Sequence, residues 1–201
     1  RGIMEDTYRF LRRVEHRPSR LTAEAERAVL GRLEAGCAAP LGVLTQETWR
    51  SVMAVNVDAV ALLYGLAHPL LALAPRGGSV VLIASKNVPA PGPGAGAYSA
   101  SKAAVTQLSR VAALEWAGEG IGVNMVHPDA VFDTGLWTPE LLAARAEHYG
   151  MSVEQYKRRN LLHAEVTSAD VGRLVAAMAG DTFAKTTGAQ VPIDGGNDRV
   201  V

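Results

Sequence analysis

The chain has 201 residues, of which 48% are hydrophobic and 5% aromatic, and its 20 basic residues balance its 20 acidic ones. This length can form one sizeable core, so one domain is the default, and the charge balance gives no electrostatic reason to expect nucleic acid or a membrane surface as a partner. Charged residues, Pro or Gly interrupt each apolar segment before the roughly 20 residues that cross a bilayer, which predicts no membrane span.

Cysteine and histidine usage sets two further expectations. The one cysteine, Cys37, excludes an intramolecular disulfide. Such usage is typical of a reducing compartment, so we expect a cytoplasmic location. The five histidines show no ligand spacing with one another or with Cys37. We therefore predict no metal site.

Residues 1–35 predict a helical segment. Thr22 can cap an Ala- and Glu-rich helix that runs towards Leu33. An alternative places a short strand over residues 28–33. No other strand is predicted in this part of the chain.

From Thr45 onwards the periodicity is stronger. Thr45 can cap a long helix over residues 46–73, in which apolar residues recur at helical spacing. Residues 79–84 form a continuous apolar run, which is what a strand covered on both faces requires. This run predicts a parallel, buried strand that ends at Ser85.

A Pro- and Gly-rich loop separates Ser85 from Tyr98, and Lys102 follows Tyr98 one helical turn later. Residues at this spacing lie on one face of a helix, so the lysine can reach the tyrosine hydroxyl. A free tyrosine has a pKa of about 10 and is a poor acid or base at neutral pH, whereas a nearby ammonium favours the phenolate. The pattern indicates proton transfer, with Ser85 able to hold a substrate oxygen beside the phenol.

The rest of the chain predicts an alternation of helices and strands. In order, the pattern predicts a helix over 97–117, a strand over 120–127, helices over 139–148 and 153–162, a helix from Thr167 to Gly180, and a last strand with a closing turn over 187–196. Pro128 and Asp129 follow the second of these strands. We interpret His127 and Asp129 as satisfied polar residues at a strand end rather than as a catalytic pair.

Together these motifs resemble the active-site block of the short-chain dehydrogenase/reductase family. The apolar strand, Ser85, the loop and Tyr98-Ser-Ala-Ser-Lys102 stand in the family's order, and 13 positions separate Ser85 from Tyr98. Asn56 lies in a segment, Met-Ala-Val-Asn-Val, that is similar to the family's asparagine segment. Ala35-Gly36 resembles part of its Asn-Ala-Gly turn, and residues 187–196 resemble its C-terminal Thr-Gly and Asp-Gly-Gly signature.

The resemblance implies a role for each of these residues. Tyr98 would be the general acid/base, Lys102 would favour its phenolate and hold the nicotinamide ribose, and Ser85 would orient the substrate oxygen. Asn56 would keep a water in a proton relay. The implied cofactor is NAD or NADP, and the implied reaction transfers a hydride between the nicotinamide and a small-molecule substrate.

One departure from the usual family sequence indicates a particular subgroup of the family. Pro128-Asp129 stands where the family has Pro-Gly. Val131 holds the position whose backbone binds the nicotinamide carboxamide in the family. The resemblance therefore implies that Pro128 and Val131, together with Tyr98 and Lys102, bind the cofactor. With the flanking residues, this resembles the dehydrogenase half of the bifunctional rhamnulose-1-phosphate aldolase/short-chain dehydrogenases of sugar catabolism, which is thought to oxidise lactaldehyde. A small hydroxy or aldehyde substrate is implied. Trp137 begins the family's substrate-lid segment, and it either closes over the pocket or simply packs.

The start of the fold is the part that the sequence does not match. A doubly wound dinucleotide-binding fold opens with a strand, a Gly-rich turn and a helix, and no such turn precedes Gly36. We therefore expect an α/β fold, a Rossmann-like doubly wound parallel sheet that is N-terminally truncated, with three to four parallel strands flanked by helices. Residues 1–35 would be a helical segment outside the family match, and residues 36–201 the C-terminal catalytic part.

Two functions stay open on this sequence. The first is an oxidoreductase, and the second is a truncated, non-catalytic remnant that cannot bind the dinucleotide and serves at most as a binding or oligomerisation module. The family also implies a homodimer or homotetramer formed through the helices at 46–73 and 97–117. Because an open strand edge invites pairing, we expect residues 1–35 or another subunit to cover the exposed edge of the sheet.

Overall fold

The computed structural model describes residues 41–197. The helical segment and the alternative strand predicted within residues 1–35, the Ala35-Gly36 turn and Cys37 lie outside the described residues. The division of the chain at residue 36 therefore stays a prediction.

A parallel sheet forms the centre of the described part of the chain. Its strands are β1 (Ser79–Ile83), β2 (Gly122–Pro128) and β3 (Gln190–Ile193), in the order β1-β2-β3. Both pairings are parallel, with Val81 opposite Asn124 and Val126 opposite Val191. The prediction of an α/β fold with three to four parallel strands flanked by helices is confirmed.

The helices surround this sheet in alternation with the strands. They are α1 (Gln46–Met53), a wide π-helical turn (Ala54–Asp58), α2 (Ala59–Leu71), α3 (Gly96–Glu115), α4 (Pro139–His148), α5 (Val153–Lys157) and α6 (Ser168–Ala179), with short 3₁₀ turns at Leu41–Val43, Ala117–Glu119 and Asp181–Phe183. Thr45 caps α1 by accepting a hydrogen bond from the Thr48 N–H at 3.1 Å, as predicted. Thr167 caps α6 in the same way.

The core lies between β2 and the helices α2 and α3. Val123 and Met125 on β2 are fully buried, and they pack against α2 and α3 residues such as Tyr64 and Val105. Burial of each such side chain contributes about 1.5–3 kcal/mol. The central strand of the described part is therefore β2.

Strand β1 is less covered than its sequence predicts. The prediction of burial on both faces is wrong in the described part of the chain, where Ser79 and Ile83 are exposed and Leu82 is the one buried residue of the strand. The physical reason is that β1 pairs only with β2 among the described strands, so its other edge is open there. An apolar run alone does not distinguish an edge strand from a central one.

The helical run from Gln46 to Leu71 spans 26 residues and agrees with the long helix predicted over residues 46–73. By length and composition alone it is sufficient to cross a membrane, as core helices of soluble proteins can also be. Asp58, Gly65 and Pro69 interrupt its apolar sequence, as predicted, and the expectation of no membrane span stays a prediction. Asp58 interrupts the apolar sequence but does not end the helix, because its side chain is exposed in the wide turn.

The helix predicted over 153–162 ends early, at Lys157. Asn160 explains this difference, because its side chain donates to the Ala164 carbonyl at 2.6 Å and accepts from the Ala164 N–H at 3.0 Å. Asparagine side chains compete with helical hydrogen bonds in this way. The buried Asn160 also lies against Gly195, whose φ of 63° and close approach to Asn160 both favour glycine.

Candidate active site

Ser85 lies at the carboxyl end of β1, where its backbone continues the pairing with β2. The N–H groups of Ala84 and Lys86 donate to the carbonyls of Val126 and Pro128 at 2.8 and 3.0 Å. The buried Ser85 hydroxyl oxygen accepts a hydrogen bond from the Asn87 N–H at 3.2 Å. Ser85 therefore has a fixed backbone, and its hydroxyl proton is available to a second oxygen.

His127 supports Ser85 from the neighbouring strand. Its Nδ1 atom lies 2.8 Å from the Ser85 carbonyl oxygen, and both residues are buried. A carbonyl can only accept, so Nδ1 donates this hydrogen bond. The Nε2 atom is buried and has no partner among the described residues. His127 is thus only half satisfied, which differs from the prediction.

Helix α3 brings Tyr98 and Lys102 to the same end of the sheet. Lys102 Nζ donates to the Ile83 carbonyl at 3.0 Å and lies 5.7 Å from the centre of the Tyr98 ring. The lysine therefore joins α3 to the last residue of β1 and lies close to the tyrosine. Helix spacing alone places both residues on one face of α3. The hydrogen bond from Lys102 to Ile83 then directs that face towards the end of β1.

Asn56 lies in the wide turn between α1 and α2 and contacts α3 through Ser101. Its Nδ2 atom donates to the Ser101 hydroxyl at 3.0 Å, and that hydroxyl donates to the Tyr98 carbonyl at 2.7 Å. Wide helical turns of this kind occur frequently at functional sites. Sequence reasoning missed Ser101, although its position three residues after Tyr98 placed it on the same helix face.

The loop after β2 presents a backbone donor near this edge. The Val131 carbonyl accepts from the N–H and hydroxyl of Thr134 at 3.3 and 2.8 Å. Across residues 41–197, no group accepts a hydrogen bond from the Val131 N–H. Such a donor matches the carboxamide oxygen of a nicotinamide, and Pro128 precedes it as the last residue of β2.

Trp137 packs within an aromatic cluster. Its ring centre lies 4.9 Å from that of Phe132 and 6.3 Å from that of Tyr156 on α5, while Thr138 caps α4 directly after it. Of the two interpretations of Trp137, the structure therefore supports packing. Closure of this segment over a substrate stays a prediction.

Asp133 fixes the start of the same segment to α6. Its carboxylate accepts from the N–H and hydroxyl of Ser168 at 2.8 and 2.7 Å. These hydrogen bonds hold the pKa of Asp133 below its ordinary value, because they favour the charged form. The loop after β2 is thus anchored by a contact that depends on an ionised carboxylate.

Lys86 and Asp129 form an ion pair that was not foreseen from the sequence. Lys86 Nζ lies 3.3 Å from Asp129 Oδ1, and Asn197 donates to Asp129 Oδ2. The prediction that Asp129 is a satisfied polar residue is confirmed, although its partners were unknown. The part of the chain that the structure describes contains no group of three or more residues able to hold a metal ion.

These side chains meet where the parallel strands end, which is where open α/β sheets bind their ligands. Lys102 lies by the Tyr98 ring and joins α3 to Ile83, two residues before Ser85. Asn56 is connected through Ser101 to the Tyr98 backbone carbonyl. Such a set can orient an oxygen atom and exchange a proton with it.

Comparison with known proteins shows which family the chain resembles. A family model described as enoyl-(acyl carrier protein) reductase matches residues 28–198. YuxG of Bacillus subtilis, an uncharacterized oxidoreductase, is 38% identical over 126 residues, which are 60% of this chain and 18% of that protein. The diacetyl reductase ((S)-acetoin forming) of Staphylococcus aureus is 30% identical over 168 residues, which are 80% of this chain and 63% of that protein.

The fold is also similar to solved structures. A short-chain dehydrogenase family protein from Francisella tularensis superposes with a TM-score of 0.69 at 26% identity, over 81% of this chain and 66% of that one. The chain thus spans less than two thirds of the length of these three proteins.

Proposed function

The chain belongs to the short-chain dehydrogenase/reductase family, and from that premise we propose that it is an NAD(P)-dependent oxidoreductase. It transfers a hydride between the nicotinamide and a small hydroxy or aldehyde substrate, with Tyr98 as general acid/base. The observation that carries the proposal is the position of Lys102, 5.7 Å from the centre of the Tyr98 ring and hydrogen-bonded to the end of β1. This geometry favours the enzyme over the non-catalytic alternative.

Each side chain has a distinct part in the proposed reaction. In the oxidative direction, Tyr98 accepts the proton of the substrate hydroxyl, and the Lys102 ammonium stabilises the phenolate that accepts it. Ser85 donates its hydroxyl proton to the substrate oxygen, because the Asn87 N–H already occupies one of its acceptor positions. Asn56, fixed by Ser101, keeps a water beside Lys102 that returns protons to solvent.

The nicotinamide half of NAD or NADP fits the residues at this edge. Lys102 and Tyr98 would bind the ribose hydroxyls, and the backbone of Pro128 and Val131 would bind the carboxamide. The Val131 N–H supports this assignment, since it has no acceptor among the described residues. When bound, the nicotinamide supplies the hydride acceptor or donor.

Replacement of Tyr98 by phenylalanine tests the proposal. The change keeps the ring and removes the proton-exchanging hydroxyl, so kcat should fall by about 10²- to 10⁴-fold. The assay is nicotinamide absorbance with NAD or NADP and a small alcohol or aldehyde. Tyr149→Phe is a matched control, because Tyr149 is exposed and stacks on Tyr156. Full activity in Tyr98→Phe would show that the assignment is wrong.

A lactaldehyde-like substrate is the finer form of the proposal. It is supported by the Pro128-Asp129 departure from Pro-Gly and by the Ser85-Lys-Asn sequence. The name of the relative from Staphylococcus aureus, diacetyl reductase ((S)-acetoin forming), likewise denotes small oxygenated compounds.

A second copy of the chain is the proposed partner for the apolar surface of α2 and α3. The large exposed apolar residues of this surface are Leu62, Leu63, Leu66, Leu70, Val111 and Leu114. On α2 they recur at helical spacing and share one face. Exposed apolar patches of this kind mark association sites, which supports a homodimer or homotetramer.

A further inference from the structure

The backbone turns sharply after β1, and Ser85 is the first residue of this turn. The Val88 N–H donates to the Ser85 carbonyl at 3.1 Å, and the Asn87 N–H donates to the Ser85 hydroxyl oxygen at 3.2 Å. Serine hydroxyls commonly bond the backbone of the turn that they begin, and the turn then sets the direction of the hydroxyl. A side chain that fixes this turn therefore also fixes the direction in which Ser85 donates its proton.

His127 ties the turn to strand β2. Its Nδ1 atom lies 2.8 Å from the Ser85 carbonyl oxygen, which also accepts from Val88. A carbonyl oxygen has two lone pairs, so these two donors use its full acceptor capacity. The next residue, Pro128, accepts from the Lys86 N–H at 3.0 Å but has no N–H of its own. The His127 ring thus supplies from β2 a donor that the backbone at Pro128 lacks.

Packing alone does not account for a histidine at this position. Val123 and Met125, which lie on the same face of β2, are apolar and fully buried. His127 is only 3% exposed, and its Nε2 atom has no hydrogen-bond partner among residues 41–197. A buried nitrogen without a partner lowers stability, and an apolar side chain would avoid that loss. The bond to the Ser85 carbonyl is the contribution that offsets it.

We propose that His127 is a positioning residue of the proposed reaction and acts on the substrate oxygen only through Ser85. The inference rests on the proposed function and adds a residue to the same site. Because Nδ1 holds the Ser85 carbonyl, the turn at residues 85–88 keeps one arrangement, and the hydroxyl proton is directed at the substrate oxygen before the substrate binds. Preorganised donors of this kind assist a reaction because they need no rearrangement while it proceeds.

Two variants of His127 separate its donor from its volume. The asparagine amide nitrogen is bonded to Cγ, as Nδ1 is in histidine, so His127→Asn keeps a donor for the Ser85 carbonyl in a smaller side chain. His127→Leu keeps more of the volume and removes the donor. With NAD or NADP and a small alcohol, kcat/KM should fall about 10- to 100-fold in His127→Leu, as expected for a misplaced catalytic group, and no more than about 3-fold in His127→Asn.

A merely structural role predicts the opposite order. The smaller asparagine leaves a cavity and should lower Tm more than leucine does, so activity that followed stability would be lower in His127→Asn. A loss of kcat/KM in His127→Asn as large as that in His127→Leu, or no loss in His127→Leu, overturns the inference. His68→Leu is the control, because that imidazole contacts Glu119 and Trp116, neither of which belongs to the proposed site.

A double-variant cycle shows whether His127 acts through the serine. Ser85→Ala removes the hydroxyl and keeps the carbonyl that His127 contacts. If His127 acts only through the hydroxyl, adding His127→Leu to Ser85→Ala should lower kcat/KM by no more than about 2-fold further. Losses that multiply, as they do for independent sites, overturn the inference, because a general loss of packing acts whether or not the hydroxyl is present.

Amide hydrogen exchange followed by NMR tests the inference without turnover. The Asn87 and Val88 amide protons should exchange faster in His127→Leu than in the wild type or His127→Asn, since the turn loses its tie to β2. If no alcohol is oxidised but this difference is present, the proposed function fails and the hold of His127 on the turn stands. If alcohols are oxidised and neither exchange nor kcat/KM responds to His127→Leu, the proposed function stands and the inference fails.

Discussion

Replacement of Ser101 by alanine removes the hydroxyl that connects Asn56 to Tyr98. That hydroxyl accepts from Asn56 Nδ2 at 3.0 Å and donates to the Tyr98 carbonyl at 2.7 Å, and Ser101 is fully buried. Each such hydrogen bond contributes about 0.5–1.5 kcal/mol, so the loss of both should lower the free energy of unfolding by about 1–3 kcal/mol. The upper part of this range applies if the Asn56 amide finds no other acceptor.

Thermal unfolding followed by circular dichroism measures this effect. For a chain of this size, about 1 kcal/mol corresponds to a shift of roughly 2–4 °C in Tm. Thr106→Val on the same helix is a matched control, because the Thr106 hydroxyl is buried without a partner in the described part of the chain. Removing an unpaired buried hydroxyl should leave Tm unchanged or raise it.

The outcome of this pair of variants decides whether the Asn56 to Tyr98 connection matters for stability. A Tm of Ser101→Ala equal to that of the wild type would refute the reasoning. A loss in Thr106→Val as large as that in Ser101→Ala would refute it as well, since helix α3 would then be sensitive to any polar change. A fall in kcat with an unchanged substrate KM in Ser101→Ala would further indicate that Ser101 positions Tyr98.

Two further changes probe the Asp133–Ser168 contact and the proposed association surface of α2 and α3. Because the pKa of Asp133 is lowered by Ser168, its stabilisation is present above the unfolded pKa and is lost as the pH falls through the folded pKa. Asp133→Asn should therefore lower Tm at neutral pH but not in strong acid, and a pH-independent loss would contradict this. Leu66→Glu should produce monomers by light scattering while the equally apolar control Leu161→Glu does not; an unchanged assembly would argue against the surface.

Local signals explain which elements the sequence could predict. The bounds of α4 agree with the prediction because Thr138 caps the helix and Pro139 begins it. The start of α6 was equally clear, since Thr167 and Asp170 form a reciprocal cap. Each signal lies within one turn of the chain, so no knowledge of the sheet was needed.

Features that depend on neighbouring elements were not predictable in this way. The early end of α5 follows from Asn160, whose side chain bonds Ala164 and packs against Gly195 in the turn after β3. The wide turn at Asn56 gave no compositional signal. Burial of β1 was overestimated, because periodicity does not show which of the described strands has two neighbours among them.

The candidate site shows the same division. Tyr98 and Lys102 could be paired from their spacing, since a helix alone brings them together. The pairing of Lys86 with Asp129 could not, because it requires the parallel register that puts Ile83 opposite Val126. Residues 43 positions apart then meet only through the sheet. Contacts within one helix can be predicted from sequence spacing, whereas contacts between strand ends can be identified only once the strand pairing is known.

The residues of the proposed reaction lie partly on one helix and partly at a strand end. In the proposed reaction, Tyr98 and Lys102 exchange the proton and share one helix, whereas Ser85, which holds the substrate oxygen, follows β1. His127 Nδ1 lies 2.8 Å from the Ser85 carbonyl oxygen, and both residues are buried, so we expect a change at His127 to alter how Ser85 holds the substrate oxygen.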